Sequence, residues 1–267
     1  MPTRRGFCAA SATLLAGCAG FSGASSGAAR AELGTTGKLR AAINFGNPIL
    51  ANRGAGGEAT GVSVDLAREA ARRLELPIEL VTFTSAGNTV DAVKAGRVDL
   101  AFVAIDPVRA ADMEYTAPYV IIEGAYLVRD ASPLRRNEDV DRDGTRVAVG
   151  RGSAYDLFLT RELKHASLVR VPTSPQVVDD FLAQNLDVAA GVKQQLEADA
   201  RRVGGVRLRL LPGRFMVIEQ AMGVPKGRKA AQQWLSGFIE EMKASGFVAE
   251  ALKRHRIEGA LVAPAAR

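Results

Sequence analysis

The chain has 267 residues, of which 47% are hydrophobic and 24% are charged, and its formal net charge is +6. This composition is that of a globular protein with enough apolar residues for one large or two ordinary domains. Basic residues form no long run and do not alternate with aromatic residues, which argues against a nucleic-acid-binding protein.

Chemistry based on thiols or metals is also disfavoured. The only cysteines, Cys8 and Cys18, lie close to the N-terminus, so the body of the chain has no disulfide, thiol nucleophile or thiolate metal site. The only histidines, His165 and His255, lie far apart in Lys/Arg-flanked stretches and form neither a triad nor a metal cluster. We therefore expect no metal and no cofactor.

Residues 1–17 predict an export signal. Arg4-Arg5 precede an apolar stretch, Cys8 to Gly17, that is shorter than the roughly 20 residues needed to cross a bilayer. Thr3-Arg4-Arg5-Gly6-Phe7 resembles a twin-arginine export signal. The signal predicts a protein that works outside the cytoplasm.

Leu15-Ala16-Gly17-Cys18 resembles a bacterial lipobox, in which cleavage precedes the cysteine and the cysteine is lipidated. The alternative is ordinary cleavage near Ala28-Ala29, with Cys18 discarded. Residues 18–36 are mainly Ala, Gly and Ser and predict a flexible tether. Together these features predict a periplasmic protein anchored to a membrane through Cys18.

Residues 38–104 predict a β-α-β-α-β unit, the pattern of a mostly parallel sheet. The helices are recognised by apolar residues at helical spacing, and Asn88 is the expected cap of the second helix. The expected elements are strand 38–45, a helix ending before Pro77, strand 78–83, a helix from Asn88 to Gly96, and strand 100–104.

The last of these strands leads into the candidate site. The strand Leu100–Ala104 is wholly apolar, Asp106-Pro107 form a turn, and a short helix begins around Arg109. Ligands of open α/β sheets bind beyond the carboxyl ends of the strands, where Arg109 lies. Its planar fork suits a carboxylate or similar oxyanion, although an arginine that caps a surface turn is the alternative.

A second unit follows the polar segment Ser132–Gly144. It has strands at 146–149, 168–171, 188–190 and 206–211, and helices starting at Ser153 (with Asp156 in a capping box) and at Ser174-Pro175. The stretches Lys94–Ala101 and Ala183–Ala189 share a helix end, a tight turn, an aspartate and a buried strand. We infer two lobes of similar architecture.

Two apolar connections, near residues 120–126 and 213–220, cross between the lobes and form a hinge on which they close like a clamshell. Lobe 1 is expected to comprise residues 37–122 and 220–267, and lobe 2 residues 123–219. An amphipathic C-terminal helix that ends at Gly246 returns to lobe 1.

Five short motifs occur in order over most of the chain: Gly61-Val-Ser-Val-Asp-Leu66, Ala95-Gly-Arg-Val-Asp-Leu100, Asp106-Pro-Val-Arg-Ala110, Tyr115-Thr-Ala-Pro-Tyr119 and Val147-Ala-Val-Gly-Arg-Gly-Ser153. Together they resemble motifs of the extracellular solute-binding proteins of ABC importers, in the family that includes polar amino-acid binders. The resemblance covers residues 37–258. It implies the α/β two-lobe periplasmic-binding-protein fold of type II, and a monomer that delivers a small solute to an inner-membrane ABC permease.

The resemblance also implies a ligand site. The arginine matching Arg109 grips the ligand's carboxylate, the loop matching Gly152-Ser153-Ala154 adds hydrogen bonds from the other lobe, and backbone groups at Ala104 contribute. The remaining candidates for ligand contact are Asn47, Asp106, Tyr155, Val192 and Lys193.

The chain departs from the family pattern at informative positions. Val192 stands where amino-acid binders carry an aspartate for the ligand's ammonium group, and Lys193 follows it. Asn47 stands where many members have Tyr, and Tyr155 either replaces the lost aromatic wall or is a partly exposed helix residue. A buried ammonium would lack a partner at Val192. We therefore predict a carboxylate-bearing or other anionic ligand that is not a standard α-amino acid.

Parts of the sequence are compatible with three other functions. A dehydratase of the same fold would need a cleft acid or base, for which Glu123, Asp106 and Glu219 are candidates. A dinucleotide site at Gly150-x-Gly152 lacks its third glycine. A ligand-sensing module would need a separate membrane partner. A binding protein without enzymatic activity is the preferred interpretation.

Overall fold

The computed structural model describes residues 20–266. The strands are β1 Leu39–Asn44, β2 Asn52–Arg53, β3 Ala59–Thr60, β4 Ile78–Phe83, β5 Leu100–Ala104, β6 Met113–Tyr115, β7 Val120–Arg129, β8 Arg146–Gly150, β9 Ser167–Val171, β10 Val188–Val192, β11 Leu208–Leu210, β12 Met216–Pro225 and β13 Leu261–Val262. The helices are α1 Gly20–Leu33, α2 Val62–Arg73, α3 Ala86–Lys94, α4 Ala154–Glu162, α5 Val177–Ala183, α6 Lys193–Arg202, α7 Lys229–Ala244 and α8 Phe247–Arg254, and short 3-10 helices span Arg109–Ala111, Asn137–Asp139 and Ser174–Gln176.

Lobe 1 is built on the strand order β4-β1-β5-β12, in which the first three strands are parallel and β12 is antiparallel. The side chains of successive β5 residues belong to hydrophobic cores on opposite faces of the sheet, because side chains alternate across a strand. Phe102 belongs to the core that also contains residues of α2, α7 and α8, whereas Val103 belongs to the core that contains Val90 and Val93 of α3. The sheet is thus covered on both faces, as its apolar strands predict.

Lobe 2 continues the same sheet in the order β7-β10-β8-β9. The strands β8, β9 and β10 are parallel, and β7 is antiparallel to β10. Helix α4 covers one face with Tyr155 and Leu159, and helices α5 and α6 cover the other with Phe181 and Leu196. Two lobes of the same α/β plan are therefore confirmed.

The two lobes are joined by the antiparallel pair β7 and β12, which runs in register from Val120 opposite Gln220 to Gly124 opposite Met216. Each strand also pairs within one lobe, β12 with β5 and β7 with β10. The two-strand hinge is thus confirmed. The residue boundaries of the lobes stay predictions.

The repeated motif has the same hydrogen-bond pattern in both lobes. In lobe 1 the Asp99 carboxylate accepts from the backbone N–H and the guanidinium of Arg40, and the Asp99 N–H donates to the Arg40 carbonyl. In lobe 2 Asp187 and Arg146 make the equivalent contacts. The Asp99 side chain is fully buried, whereas that of Asp187 is 43% exposed. The aspartate therefore ties two neighbouring strands together in each lobe.

The predicted tether is wrong for most of its length, because residues 20–33 form helix α1. Ala29 and Leu33 are fully buried, and α1 packs on α7. The Glu32 carboxylate accepts the Ala231 N–H in the first turn of α7 at 2.8 Å. Tertiary packing thus orders a segment whose composition alone favours a flexible chain.

Helix starts also differ in detail from the predictions. Helix α3 is capped by Ser85, whose hydroxyl accepts the N–H of Asn88, so Asn88 is not the cap. Ser153 caps α4 as predicted, but the Asp156 carboxylate returns to the Gly152 N–H instead of completing a capping box.

The predicted export signal and Cys18 lie outside the described residues. Within residues 20–266, no helix is both long enough and apolar enough to span a bilayer.

Candidate inter-lobe binding site

A small cavity that is partly open to solvent lies between the lobes beside the hinge. Lobe 1 contributes residues that follow the carboxyl ends of β1 and β5, lobe 2 contributes the first turn of α4, and the hinge contributes two residues of β12. The lining residues are Asn44, Gly46, Asn47, Ala86, Val103, Ala104, Arg109, Ser153, Ala154, Tyr155, Ser174, Val192, Ile218 and Gln220. The cavity therefore lies where ligands of open α/β sheets bind.

Arg109 is the charged residue of this lining. It begins a short 3-10 helix after β5 and is only 3% exposed. Its Nη1 donates to the Ala104 carbonyl at 2.8 Å, and its Nη2 donates across the cleft to the Gly152 carbonyl at 2.9 Å. Burial lowers the pKa of the Arg109 guanidinium below its ordinary value. The cation is thus held between neutral acceptors, with a bond to each lobe.

The opposite wall is the N-terminus of α4. Gly152 has a φ of +69°, and a Cβ atom there would approach the Gly87 Cα of lobe 1 to 3.0 Å. The Gly152 N–H and the Ser153 N–H are used within the loop, by Asp156 and Gly150. The first N–H groups of a helix have no intrahelical acceptor and form a weakly positive site for an anion.

Tyr155 lines the cavity from the first turn of α4 and is only 3% exposed, so it is not a partly exposed helix residue. Its pKa is raised by burial, an effect that hydrogen bonding with Ser174, Ser153 and the Gly150 backbone partly offsets. These bonds fix the ring against lobe 2, where it forms a rigid, largely apolar wall.

No carboxylate occurs among the lining residues given above. Val192 lines the cavity at the N-cap of α6, where it offers only an apolar surface. Asp199 lines a small adjoining cavity, but its carboxylate is occupied by Gln195 at 2.9 Å and Arg202 at 3.1 Å. Asn47 Oδ1 is buried without a hydrogen-bond partner and lines both cavities. The described cleft therefore combines a buried cation with neutral acceptors.

The structure gathers most of the predicted site residues around this cavity but places three of them differently. Asp106 does not line the cavity; its Oδ1 accepts the Val108 N–H, and its Oδ2 pairs with Arg161 of lobe 2. Lys193 points to the hinge, where its Nζ lies 3.4 Å from Glu123. Gly152 does not line the cavity, but its carbonyl accepts a hydrogen bond from Arg109.

Sequence reasoning missed other lining residues: Asn44, Gly46, Ala86, Val103, Ser174, Ile218 and Gln220. Asn44 ends β1, so the rule that ligands bind beyond strand ends would have identified it. Gln220 is a polar residue of hinge strand β12 whose other buried positions are apolar or glycine, which is a second usable signal. Ser174 follows a strand of lobe 2 and comes near the cleft only through tertiary folding.

The three carboxylates proposed as the acid or base of a dehydratase do not line the cavity. Glu123 accepts hydrogen bonds from Arg214 at 2.6 Å and Lys193 at 3.4 Å, and the bond from Arg214 is the main reason that its pKa is lowered. Glu219 is exposed, and Asp106 is held in its ion pair. The three candidate acids thus lie outside the lining of the described cavity.

Comparison with known proteins agrees with this architecture. The family model for bacterial extracellular solute-binding proteins, family 3, matches residues 39–257. The amino-acid-binding protein AabA of Dichelobacter nodosus is 23% identical over 198 residues, which are 72% of this chain and 77% of that protein.

Solved structures share the fold of type II periplasmic binding proteins. The solute receptor for L-cysteine of Neisseria gonorrhoeae superposes with a TM-score of 0.75 at 22% identity, covering 86% of this chain and 94% of its own. The ancestral amino acid-binding protein AncCDT-1, a precursor of cyclohexadienyl dehydratase, superposes with a TM-score of 0.71 at 19% identity, covering 84% and 98%.

Proposed function

Because the chain belongs to the bacterial extracellular solute-binding proteins, family 3, we propose that it captures a small carboxylate-bearing or other anionic solute in the cleft between its lobes. The solute is then delivered to an ABC permease in the inner membrane. The observation that carries the proposal is the burial of Arg109 without a hydrogen-bonded carboxylate among residues 20–266.

A buried cation is costly unless it is paired. Arg109 is 3% exposed and, among the described residues, bonds only to neutral carbonyls, while the neighbouring carboxylate of Asp106 is paired with Arg161. An oxyanion in the cavity would complete the pairing by charge-assisted hydrogen bonds, for which the guanidinium fork is well shaped. The N-terminus of α4 would favour the same charge from the other lobe.

The rest of the solute is constrained by what the cavity lacks. An α-ammonium group would be buried beside Val192, with amide and hydroxyl groups but no carboxylate among the lining residues of the described chain. The unpartnered Asn47 Oδ1 is suited to a neutral donor, such as a hydroxyl or amide N–H. Relatives named for amino acids support a solute of similar size, and we propose that its charge pattern is anionic.

A thermal-shift screen with matched solutes tests the proposal. A carboxylate at 100 times its Kd should stabilise the protein by about 2.7 kcal/mol, which raises Tm by roughly 5–10 °C for a chain of this size. Its uncharged amide should raise Tm far less. Arg109→Ala should abolish the shift, and Arg68→Ala, a change at an exposed arginine of α2, should preserve it. Equal shifts in both variants would refute the role of Arg109.

The cellular context follows from the sequence and the family. We propose that export delivers the protein to the periplasm and that lipidated Cys18 holds it, as a monomer, at a membrane. Metabolic labelling with a fatty acid tests this directly, because the label should be incorporated by the wild type and lost in Cys18→Ser. Labelling that persists in Cys18→Ser would contradict the anchor.

A further inference from the structure

We propose that Asp106 and Arg161 form an ion-pair latch that holds the two lobes closed and sets how long the solute stays bound. The inference rests on the proposed function and adds a pair of residues that never touch the solute. Arg161 Nη2 of α4 lies 3.0 Å from Asp106 Oδ2, which belongs to the loop after β5 in lobe 1.

The acidic half of the latch is preorganised. The Asp106 side chain is 4% exposed, and its Oδ1 accepts the Val108 N–H at 2.8 Å, which leaves Oδ2 directed to the other lobe. The Arg161 side chain is 37% exposed, so it stays partly in solvent while it pairs with Asp106. Only one flexible side chain must be ordered for the pair to form, which keeps its entropic cost low.

The pair lies within a set of contacts that require closed lobes. Arg109 donates across the cleft to the Gly152 carbonyl, and the backbone of Gly152 lies against that of Gly87. Asp106 is three residues before Arg109 and on the same lobe. Rotation about the hinge strands would separate all three contacts together, because each joins lobe 1 to the loop and helix α4 of lobe 2.

Since the pair exists only in the closed state, its free energy shifts the equilibrium between open and closed lobes. A solute enters the open form and leaves by reopening. Loss of the latch should therefore act mainly on the dissociation rate, as expected when a contact that forms after encounter is removed. For a pair with one buried partner we expect dissociation to become about tenfold faster.

The chain supplies a matched control. Arg170 pairs with Asp156 at 2.9 Å within lobe 2, and its side-chain exposures of 36% and 5% almost equal the 37% and 4% of Arg161 and Asp106. Arg170→Gln removes an arginine of the same exposure without removing an inter-lobe contact. In stopped-flow experiments with the best solute of the thermal-shift screen, Arg161→Gln should accelerate dissociation about tenfold and Arg170→Gln less than twofold.

A double-mutant cycle distinguishes the latch from two independent effects. Asp106→Asn keeps an acceptor for Val108 but removes the charge, so it should match Arg161→Gln, and the double variant should be no worse than either single one. Additive effects, or an Arg161→Gln rate equal to that of Arg170→Gln, would overturn the proposal.

A solute-free measurement keeps the latch separate from the proposed function. Spin labels at Ala183→Cys in lobe 2 and Ala249→Cys in lobe 1, with Cys8 and Cys18 replaced by Ser, report the inter-lobe distance. The closed population should fall at least threefold in Arg161→Gln relative to the wild type and stay unchanged in Arg170→Gln. Equal closed populations in the wild type and Arg161→Gln would overturn the latch, whatever the solute proves to be.

Discussion

Val192→Asp should convert the cleft to one that accepts an α-amino acid. Val192 is the N-cap residue of α6, has a φ of −65° and a ψ of 128°, and lines the cavity. An aspartate adopts this backbone readily and is a favoured N-cap, so the helix should be stabilised by about 1 kcal/mol. The same carboxylate would face the cavity that holds the solute.

The size of the effect follows from the kind of bond that is gained. A hydrogen bond to a charged group contributes about 1.5–3 kcal/mol, which is roughly a 10- to 150-fold change in Kd. Isothermal titration with an α-amino acid and its α-hydroxy analogue isolates this bond, because the two solutes differ only at the donor. Their Kd ratio should shift by that factor toward the amino acid.

Val192→Asn is the control, since it also caps the helix but adds no charge. It should leave the ratio within about fivefold of the wild-type value, because a neutral amide offers a bond of only about 1 kcal/mol. If Val192→Asp and Val192→Asn shift the ratio equally, the missing carboxylate does not determine selectivity, and the reasoning about Val192 is refuted.

Two stability predictions and one pH prediction follow, each checked by chemical unfolding. Asp99→Asn should cost about 3 kcal/mol because it leaves two arginines without a buried carboxylate, whereas the half-exposed Asp187→Asn should cost under about 1 kcal/mol; equal costs would contradict the reasoning from burial. Burial acts to raise the pKa of Asp99, but the hydrogen bonds from Arg40 and Arg228 outweigh burial, so the pKa in the folded protein lies below the unfolded value of about 3.9. The stability that the Asp99 carboxylate contributes is therefore present above a pH of about 3.9 and is lost as the pH falls through the lowered pKa of the folded protein. The difference in unfolding free energy between the wild type and Asp99→Asn should shrink at low pH, and a constant difference would contradict this sign. Gly61→Ala should cost at least about 2 kcal/mol, since φ is +122° and the Cβ would lie 2.4 Å from the Leu50 carbonyl oxygen, while the mid-helix Gly237→Ala should gain about 0.5–1 kcal/mol; a tolerated Gly61→Ala would contradict the assigned backbone.

Much of the fold is predictable because local signals and tertiary contacts agree. The wholly apolar Leu100–Ala104 predicts a buried central strand, and the structure confirms it with both faces covered. The repeated aspartate predicts two similar lobes, and the matching contacts of Asp99 and Asp187 give the physical reason. The position of Arg109 at the cleft is also predictable, because Arg109 follows shortly after the carboxyl end of the parallel strand Leu100–Ala104.

What could not be predicted depends on contacts distant in sequence. The segment that forms α1 has a composition typical of a flexible chain, and its order comes from Leu33 and Glu32 packing on α7. Asp106 has the sequence context of a simple turn residue, and its inter-lobe partner Arg161 lies 55 residues away. Lys193 follows Val192 in sequence, yet the start of α6 turns it toward Glu123 at the hinge.

A crystal structure of the protein with its solute bound gives the sharpest test of Arg109 as the ligand's anion partner. We expect a solute oxyanion in the inter-lobe cavity within about 3 Å of the Arg109 guanidinium, at the distance of a charge-assisted hydrogen bond. We also expect no solute ammonium group beside Val192. A solute bound outside the cleft, or one whose uncharged end faces Arg109, would refute the proposed role of Arg109.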